Sequence, residues 1–252
     1  MDQTIRREDT DTENVRRAYA FWAPVYDLVF NNALTPGRRA AAEQVQRRGG
    51  LVLDAGVGTG LELPMFESST QIIGIDLSLP MLRLANRRVK RAKLANVQGL
   101  VAMDVARLAF PDACFDAALA PYVLTVVPNP VAMLDELARV IKPGGEIVLV
   151  NHLGAEAGVA AKFESWLGKN ARRLGWRANF SYSIIADWLA SRDDIQLTER
   201  RTLPPFGMLH CCGCVKTPHA DRVPASETCA RRSFDATKVP WEAACLLAGT
   251  MV

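Results

Sequence analysis

The chain has no apolar run approaching the roughly 18 to 20 residues that cross a bilayer, so no spanning helix is expected. It also lacks a cysteine framework. Of six cysteines only Cys114 precedes residue 200, which excludes the evenly spread pairs of a disulfide-stapled secreted domain. An excess of one charge is missing too. Thirty Lys and Arg against 27 Asp and Glu leave a net charge of +3, too small a bias to imply nucleic acid as a partner. Residues Met1 to Glu13 are polar and of mixed charge, without the apolar centre of a secretion signal. There is no internal repeat. The remaining composition, 49% hydrophobic and 23% charged over 252 residues, is that of one ordinary α/β core with additions.

Against this background one stretch stands out, Leu51-Val52-Leu53-Asp54-Ala55-Gly56-Val57-Gly58-Thr59-Gly60. An apolar, β-branched run enters a turn with glycine at alternate positions. A buried strand ending where backbone must pass close to a ligand has this form, because glycine carries no Cβ and tolerates positive φ. The pattern is G-x-G-x-G, and Leu61 stands where a dinucleotide fingerprint would place its third glycine.

Alternation continues on both sides. Tyr19, Trp22, Tyr26 and Val29 form a helical stripe broken by Pro24, and a second helix is expected near Ala40 to Arg48, closed by Gly49-Gly50. Strands are expected at 51–55, 71–76, 97–102, 115–120 and 145–152, with helices near 79–92 and 130–141. Ser78 is placed as the N-cap of the first of these, with Pro80 in its opening turn. Such alternation makes a mostly parallel sheet with right-handed crossovers. An insertion from Gly154 to Asp193 follows, then strands at Ile195 to Arg201 and, with a weaker pattern, around Met208 to Lys216. Residues 1–13 are expected to be disordered, 14–216 to form the domain, and 217–252 to be an atypical, disordered tail.

Ligands of open parallel sheets sit beyond the carboxyl ends of the strands. Asp54, Asp76 and Asp104 end or follow three successive strands. An acid about 20 residues past a glycine loop can accept both hydroxyls of a ribose. Together, Asp54-x-Gly56-x-Gly58-x-Gly60, Gly74-x-Asp76, Met103-Asp104 and Leu137-Ala138-Arg139-Val140-Ile141-Lys142-Pro143-Gly144-Gly145 resemble the ordered motifs of class I S-adenosylmethionine-dependent methyltransferases. The resemblance implies a Rossmann-like seven-stranded α/β sheet of order 3-2-1-4-5-7-6, its seventh strand antiparallel, with an N-terminal helical cap and an insertion after strand five. It implies S-adenosyl-L-methionine as cofactor, its ribose on Asp76, its adenine at Asp104, its methionyl part against Gly56, Gly58 and Gly60, and its amine near Asp54. Val57, Leu77, Met81, Val105 and Pro121 complete the implied cofactor site. A nucleoside without phosphates agrees with the residues themselves, which leave no third glycine for a pyrophosphate.

A narrower resemblance covers roughly residues 14 to 209. Tyr19-x-x-Trp22-Ala23-Pro24-x-Tyr26-Asp27, Tyr122-Val123-Leu124-Thr125-Val126-Val127-Pro128-Asn129-Pro130, Asn151-His152-x-Gly154-Ala155-Glu156, Leu174-Gly175-Trp176-Arg177 and Glu199-Arg200-Arg201-x-Leu203-Pro204-Pro205-x-Gly207 are similar to the soluble bacterial phosphatidylethanolamine N-methyltransferases of the Rhodobacter type. The ubiquinone and menaquinone C-methyltransferases share the cofactor motifs and are the nearest alternative. The resemblance implies a phospholipid substrate, a monomer, and a cytoplasmic enzyme held peripherally on the inner membrane. In that chemistry an alkylammonium with pKa near 10 must lose a proton before it attacks. Tyr19, Tyr26, Tyr122 and His152 are the candidate catalytic residues, as proton acceptors or as aromatic faces for a sulfonium. Each could equally be a packing residue.

Phe163 and Trp166 recur at helical spacing opposite Lys162 and Lys169, a composition that suits either core packing or a lipid interface. The run Arg83, Arg87, Arg88, Lys90, Arg91 and Lys93 suits a solvated helix face or anionic lipid. Cys211, Cys212, Cys214 and Cys229, with His210 and His219, match no paired metal-ligand spacing, so no metal is expected. The same cysteines depart from the family's last strand, which raises the expectation that this strand is altered.

Overall fold

The computed structural model describes residues 34–152, 182–203 and 209–217. Tyr19, Trp22, Tyr26, Asp27, Phe163, Trp166, Cys229 and His219, and the stretches read as N-terminal cap, most of the insertion and the tail, lie outside them. Helix α1 covers residues 34–46. Strand β1 is Leu51–Ala55, followed by a single 3-10 turn at Leu63–Met65. Then come β2 Gln71–Asp76, α2 Leu79–Ala92, β3 Val97–Ala102 and β4 Phe115–Pro121. The remainder is α3 Pro130–Val140, β5 Ile141–His152, α4 Ser183–Ala190, β6 Ile195–Leu203 and β7 Leu209–Lys216.

The strands form one seven-stranded sheet, β3-β2-β1-β4-β5-β7-β6. β1 pairs in parallel with β2 and β4, β2 with β3, and β4 with β5, while β7 runs antiparallel between β5 and β6. Side chains alternate across a strand, so each one feeds two cores. Leu53, Ile75, Ala118, Ile147 and Leu149 pack under α3 and α4 with Met133, Leu134, Ile185 and Trp188. Val52, Ile72, Leu119, Val148 and Val150 pack under α1 and α2 with Ala41, Ala42, Val45 and Leu82. Residues buried on both faces explain the near-continuous apolar runs of β1, β2 and β4.

Several expectations change in detail. α1 already includes Leu34, the first described residue and six before the expected helix start at Ala40, with Leu34, Arg38, Ala41 and Val45 on one side. β5 starts at Ile141 rather than 145, because Ile141 already pairs with Phe115 before the turn at Lys142-Pro143-Gly144-Gly145. Ser78 is the N-cap by position, but its hydroxyl makes no capping bond; its amide donates instead to Asp76 Oδ1 at 2.7 Å. The last part of the stretch read as an insertion is α4, tied to α3 by Trp188 Nε1 donating to Asp135 at 2.9 Å.

β7 is a complete strand. It pairs with β5 from Glu146 opposite Val215 to His152 opposite Leu209. Its unusual residues suit its neighbours, since Cys211 and Cys212 fall on opposite faces and are both buried. A Cβ at Gly213 would come within 2.3 Å of Gln44 Nε2, which donates to the buried Glu146 at 2.7 Å. The three cysteines therefore cannot converge. Among the described residues no group of His, Cys, Asp and Glu side chains could hold a metal, and no helix is long and apolar enough to cross a membrane.

Phe115 opens β4 fully buried, edge to face with Phe110 at 5.0 Å between ring centres. It stands at the opposite end of the strand from Pro121 and the loops beyond it. Phe115→Ala should lower the unfolding free energy by about 3–5 kcal/mol in a denaturant titration. A loss under 1 kcal/mol would contradict this packing.

Candidate cofactor site

The loop after β1 is built by left-handed glycines. Gly56, Gly58 and Gly60 have φ of +80°, +53° and +72°. Two of them also have no room for a side chain. A Cβ on Gly56 would approach Val123 to 2.3 Å, and one on Gly60 would approach Leu63 to 2.7 Å. At Gly58 the nearest atom is a carbonyl oxygen 3.9 Å away, so this glycine faces open space. The amides of Gly56 and Val57 both donate to the Ile75 carbonyl at 2.8 Å, which folds the loop back against the end of β2. Arg88, from the basic run of α2, donates to the Thr59 carbonyl and braces the loop from outside, whereas Arg83, Arg87, Lys90, Arg91 and Lys93 are exposed.

A cavity lies across the carboxyl ends of four strands. It is lined after β1 by Gly56, Val57, Gly58, Thr59, Leu61 and Glu62, and after β2 by Asp76, Leu77 and Ser78. Met103, Asp104 and Val105 line it after β3, and Pro121, Tyr122 and Val123 after β4; Met81 of α2 and Arg38 of α1 complete it. Of the expected cofactor residues, Gly56, Val57, Gly58, Asp76, Leu77, Met81, Asp104, Val105 and Pro121 line the cavity. Gly60 and the fully buried Asp54 are not among its lining residues.

The sheet order 3-2-1-4 makes this an elongated trough running from Asp104 past Asp76 and the glycines to Tyr122. Asp76 accepts the Gly58 amide on Oδ2 at 2.9 Å and the Ser78 amide on Oδ1 at 2.7 Å. Each oxygen keeps a further lone pair, enough for two ribose hydroxyls. Burial pushes its pKa up, and the two amides oppose that shift. Asp104 is exposed at the far end, with Oδ1 accepting the Ala106 amide at 2.9 Å. Its loop is held by Arg139, which donates to the carbonyls of Leu108 and Phe110 at 3.0 and 2.8 Å and is chelated by Glu136. The arginine of the fourth motif is thus a brace for the loop that follows β3.

The other end is acidic and dry. Asp54 is fully buried and both of its oxygens lack a hydrogen-bond donor. Burial, then the neighbouring charge of Glu62, raise its pKa well above the ordinary carboxylate range. Protonated, Asp54 becomes a donor, with Glu62 as acceptor. Glu62 is also pushed up by burial and pulled back by Arg38, whose Nε lies 3.6 Å away. Glu62 and Arg38 were absent from the residues expected from sequence. The signal was available: Arg38, Ala41, Ala42 and Val45 share one helical face, and a charge on a buried stripe needs a reason.

Tyr122 lines the cavity in a left-handed conformation, φ +65°, unusual for an aromatic residue. Its hydroxyl donates to the Leu34 carbonyl at 2.9 Å and its ring lies under the Arg38 guanidinium at 5.7 Å. His152 closes β5 opposite Leu209. Tyr19 and Tyr26 lie outside the described residues.

A trough at the carboxyl edge of the sheet, with Asp76 at its centre and buried acids at one end, suits an S-adenosylmethionine-dependent methyltransferase, the class that the chain's relatives define. Residues 53–149 match the methyltransferase domain family. Over 199 residues the chain is 37% identical to the phosphatidylethanolamine N-methyltransferase of Cereibacter sphaeroides, spanning 79% of this chain and 95% of that protein. The chain belongs to the family of that enzyme. It is also 34% identical over 151 residues to a ubiquinone/menaquinone biosynthesis C-methyltransferase of Geobacter sp. (strain M21), covering 55% of this chain and 63% of the relative. Among solved structures, phosphoethanolamine N-methyltransferase 2 of Haemonchus contortus, in complex with phosphomonomethylethanolamine and S-adenosylhomocysteine, shares the fold with a TM-score of 0.60 at 17% identity, over 79% of this chain and 58% of that one.

Two predictions follow from the site. Asp76→Ala removes the ribose acceptor and should weaken S-adenosylmethionine binding by about tenfold to a hundredfold in calorimetry; an unchanged affinity would remove Asp76 from the site. The second concerns pH. Native Asp54 keeps a proton that the unfolded chain loses above about 3.9, so stability falls as pH rises from that value through the raised native pKa. Asp54→Asn abolishes this titration. Without ligand, the variant should gain stability on wild type steadily from acid to neutral pH, followed by thermal melts, and a pH-independent difference would contradict the assignment.

Proposed function

We propose that the protein transfers methyl groups from S-adenosylmethionine to the head-group amine of phosphatidylethanolamine, in steps towards phosphatidylcholine. The observation that carries this is the extent of the likeness to the Cereibacter enzyme, 95% of its length. That span, 199 residues, reaches well beyond residues 53–149, which carry the domain common to methyltransferases. The quinone-directed relative is covered over only 63%.

Bound S-adenosylmethionine supplies an electrophilic methyl group on a sulfonium. The chain's part is to orient, to exclude water and to accept a proton. Apolar residues Val123, Val126, Val127 and Pro128 beside Tyr122 make that end of the trough dry. The Tyr122 ring offers a π face to a cation. Its hydroxyl donates to Leu34 and keeps lone pairs, so Tyr122 stands with His152, Tyr19 and Tyr26 as a candidate for proton acceptance. The acyl chains of the substrate stay in a bilayer, and the enzyme would work at a membrane surface, with the Phe163/Trp166 stripe as its apolar contact.

Purified protein, labelled S-adenosylmethionine and phosphatidylethanolamine vesicles should yield mono-, di- and trimethylated lipid, with protein sedimenting with the vesicles and released at high salt. Label on a quinone precursor and none on lipid would overturn this reading in favour of C-methylation.

A further inference from the structure

We propose that Arg88 of α2 is a positioning residue for cofactor binding, holding the glycine loop in its binding shape from the far side without touching the ligand. This rests on the S-adenosylmethionine reading and not on the choice of acceptor. The loop carries its own liability. Gly58 and Gly60 flank Thr59 with φ of +53° and +72°, and glycine enters and leaves the left-handed region at little cost. The peptide between Thr59 and Gly60 can therefore turn over unless both of its polar groups are held. Its N–H is held, since the Gly60 amide donates to the Val57 carbonyl at 2.8 Å. Its carbonyl accepts from Arg88 Nη1. Thr59 is 3% exposed, so water is a poor replacement for that donor.

α2 is shaped to reach this peptide. Met81, Leu82 and Ala85 form its buried stripe, and Arg88 follows Ala85 by three residues on the same side. Ala85 is the floor under the loop: a Cβ on Gly60 would stand 3.2 Å from the Ala85 Cβ. One turn on, Arg88 is half-buried, while Arg83, Arg87, Lys90, Arg91 and Lys93 around it are exposed. Burial raises the pKa of Glu62, two residues past Gly60, and the charge of Arg88 is among those that draw it back. Thr59 and Glu62 line the cavity and Arg88 does not. Its effect on the cofactor must pass through the loop. A charge acting only at a distance would be matched by Arg87, the exposed cation beside it in the chain.

The test measures S-adenosylhomocysteine binding to the full chain by calorimetry, with association and dissociation rates followed separately. Arg88→Met keeps the stem and removes the donor. With the loop in its binding shape in about a tenth of the molecules, affinity falls about tenfold, because apparent affinity scales with the competent fraction. That loss should lie in the association rate, with dissociation within about twofold of wild type. Arg88→Lys, which keeps a charged donor, should recover most of it, and Arg87→Met should bind like wild type. Unchanged affinity in Arg88→Met, whatever its melting temperature, would leave a merely structural arginine and overturn the proposal. So would an equal loss in Arg87→Met, or a loss carried by dissociation. Should Arg88→Met fail to fold, NMR of the wild-type protein decides: the Arg88 guanidinium protons should be resolved and slow to exchange before any ligand is added, and averaged, fast-exchanging signals would overturn the proposal. Wild-type protein that bound S-adenosylhomocysteine no better than an unrelated nucleoside would sink the cofactor reading, and the role of Arg88 with it.

Discussion

The hydrogen bond from the Gly58 amide to the Asp76 carboxylate is the contact on which the site depends. It joins the loop after β1 to the end of β2, and it exists only because three alternate glycines take left-handed φ. With side chains at Gly56 or Gly60 the loop would collide with Val123 or Leu63 and could not turn back to Ile75. The same carboxylate also receives the Ser78 amide at the start of α2. One acidic side chain thereby fixes two loops and the entry of a helix, and still retains lone pairs for a ligand. A parallel sheet makes this economical, since neighbouring strands deliver their carboxyl ends to the same edge.

Polarity is distributed unevenly along the trough. At the end beyond β3 Asp104 is exposed and its loop is held by Arg139, so hydration costs little there. At the closed end Asp54, Glu62 and Arg38 are buried together, an arrangement that lowers the stability of the ligand-free protein. Groups left without partners in a dry pocket are retained where a ligand satisfies them. Between the two ends Gly58 offers bare backbone. Polarity thus changes along the trough, from an exposed acid after β3 to buried charge beside α1.

Much of this was legible in the sequence. The glycine spacing, the acid ending β2, and alternation of apolar runs with helical stripes located β1 to β4, α2 and α3 and the residues that line most of the cavity. What escaped notice escaped for physical reasons. Arg38 was hidden because α1 begins earlier than its apolar pattern, and a helix rich in small alanines gives a faint periodicity. Glu62 follows the glycines in a turn, where acids are ordinary. The start of β5 was obscured by Pro143 and two glycines, which punctuate a strand without ending it. In β7 the run Cys-Cys-Gly-Cys read as a departure, yet cysteine is among the most buried residues, and glycine is what the space beside Gln44 requires.

The central claim is that the loop of left-handed glycines and Asp76 together hold a nucleoside at the carboxyl edge of the sheet. A crystal structure of the protein with S-adenosylhomocysteine tests it most directly. The account predicts the ribose hydroxyls within hydrogen-bond distance of Asp76, the Gly58 amide still bonded to that carboxylate, and the adenine beside Asp104. A ribose held elsewhere, or a glycine loop rearranged so that Gly58 no longer reaches Asp76, would contradict it.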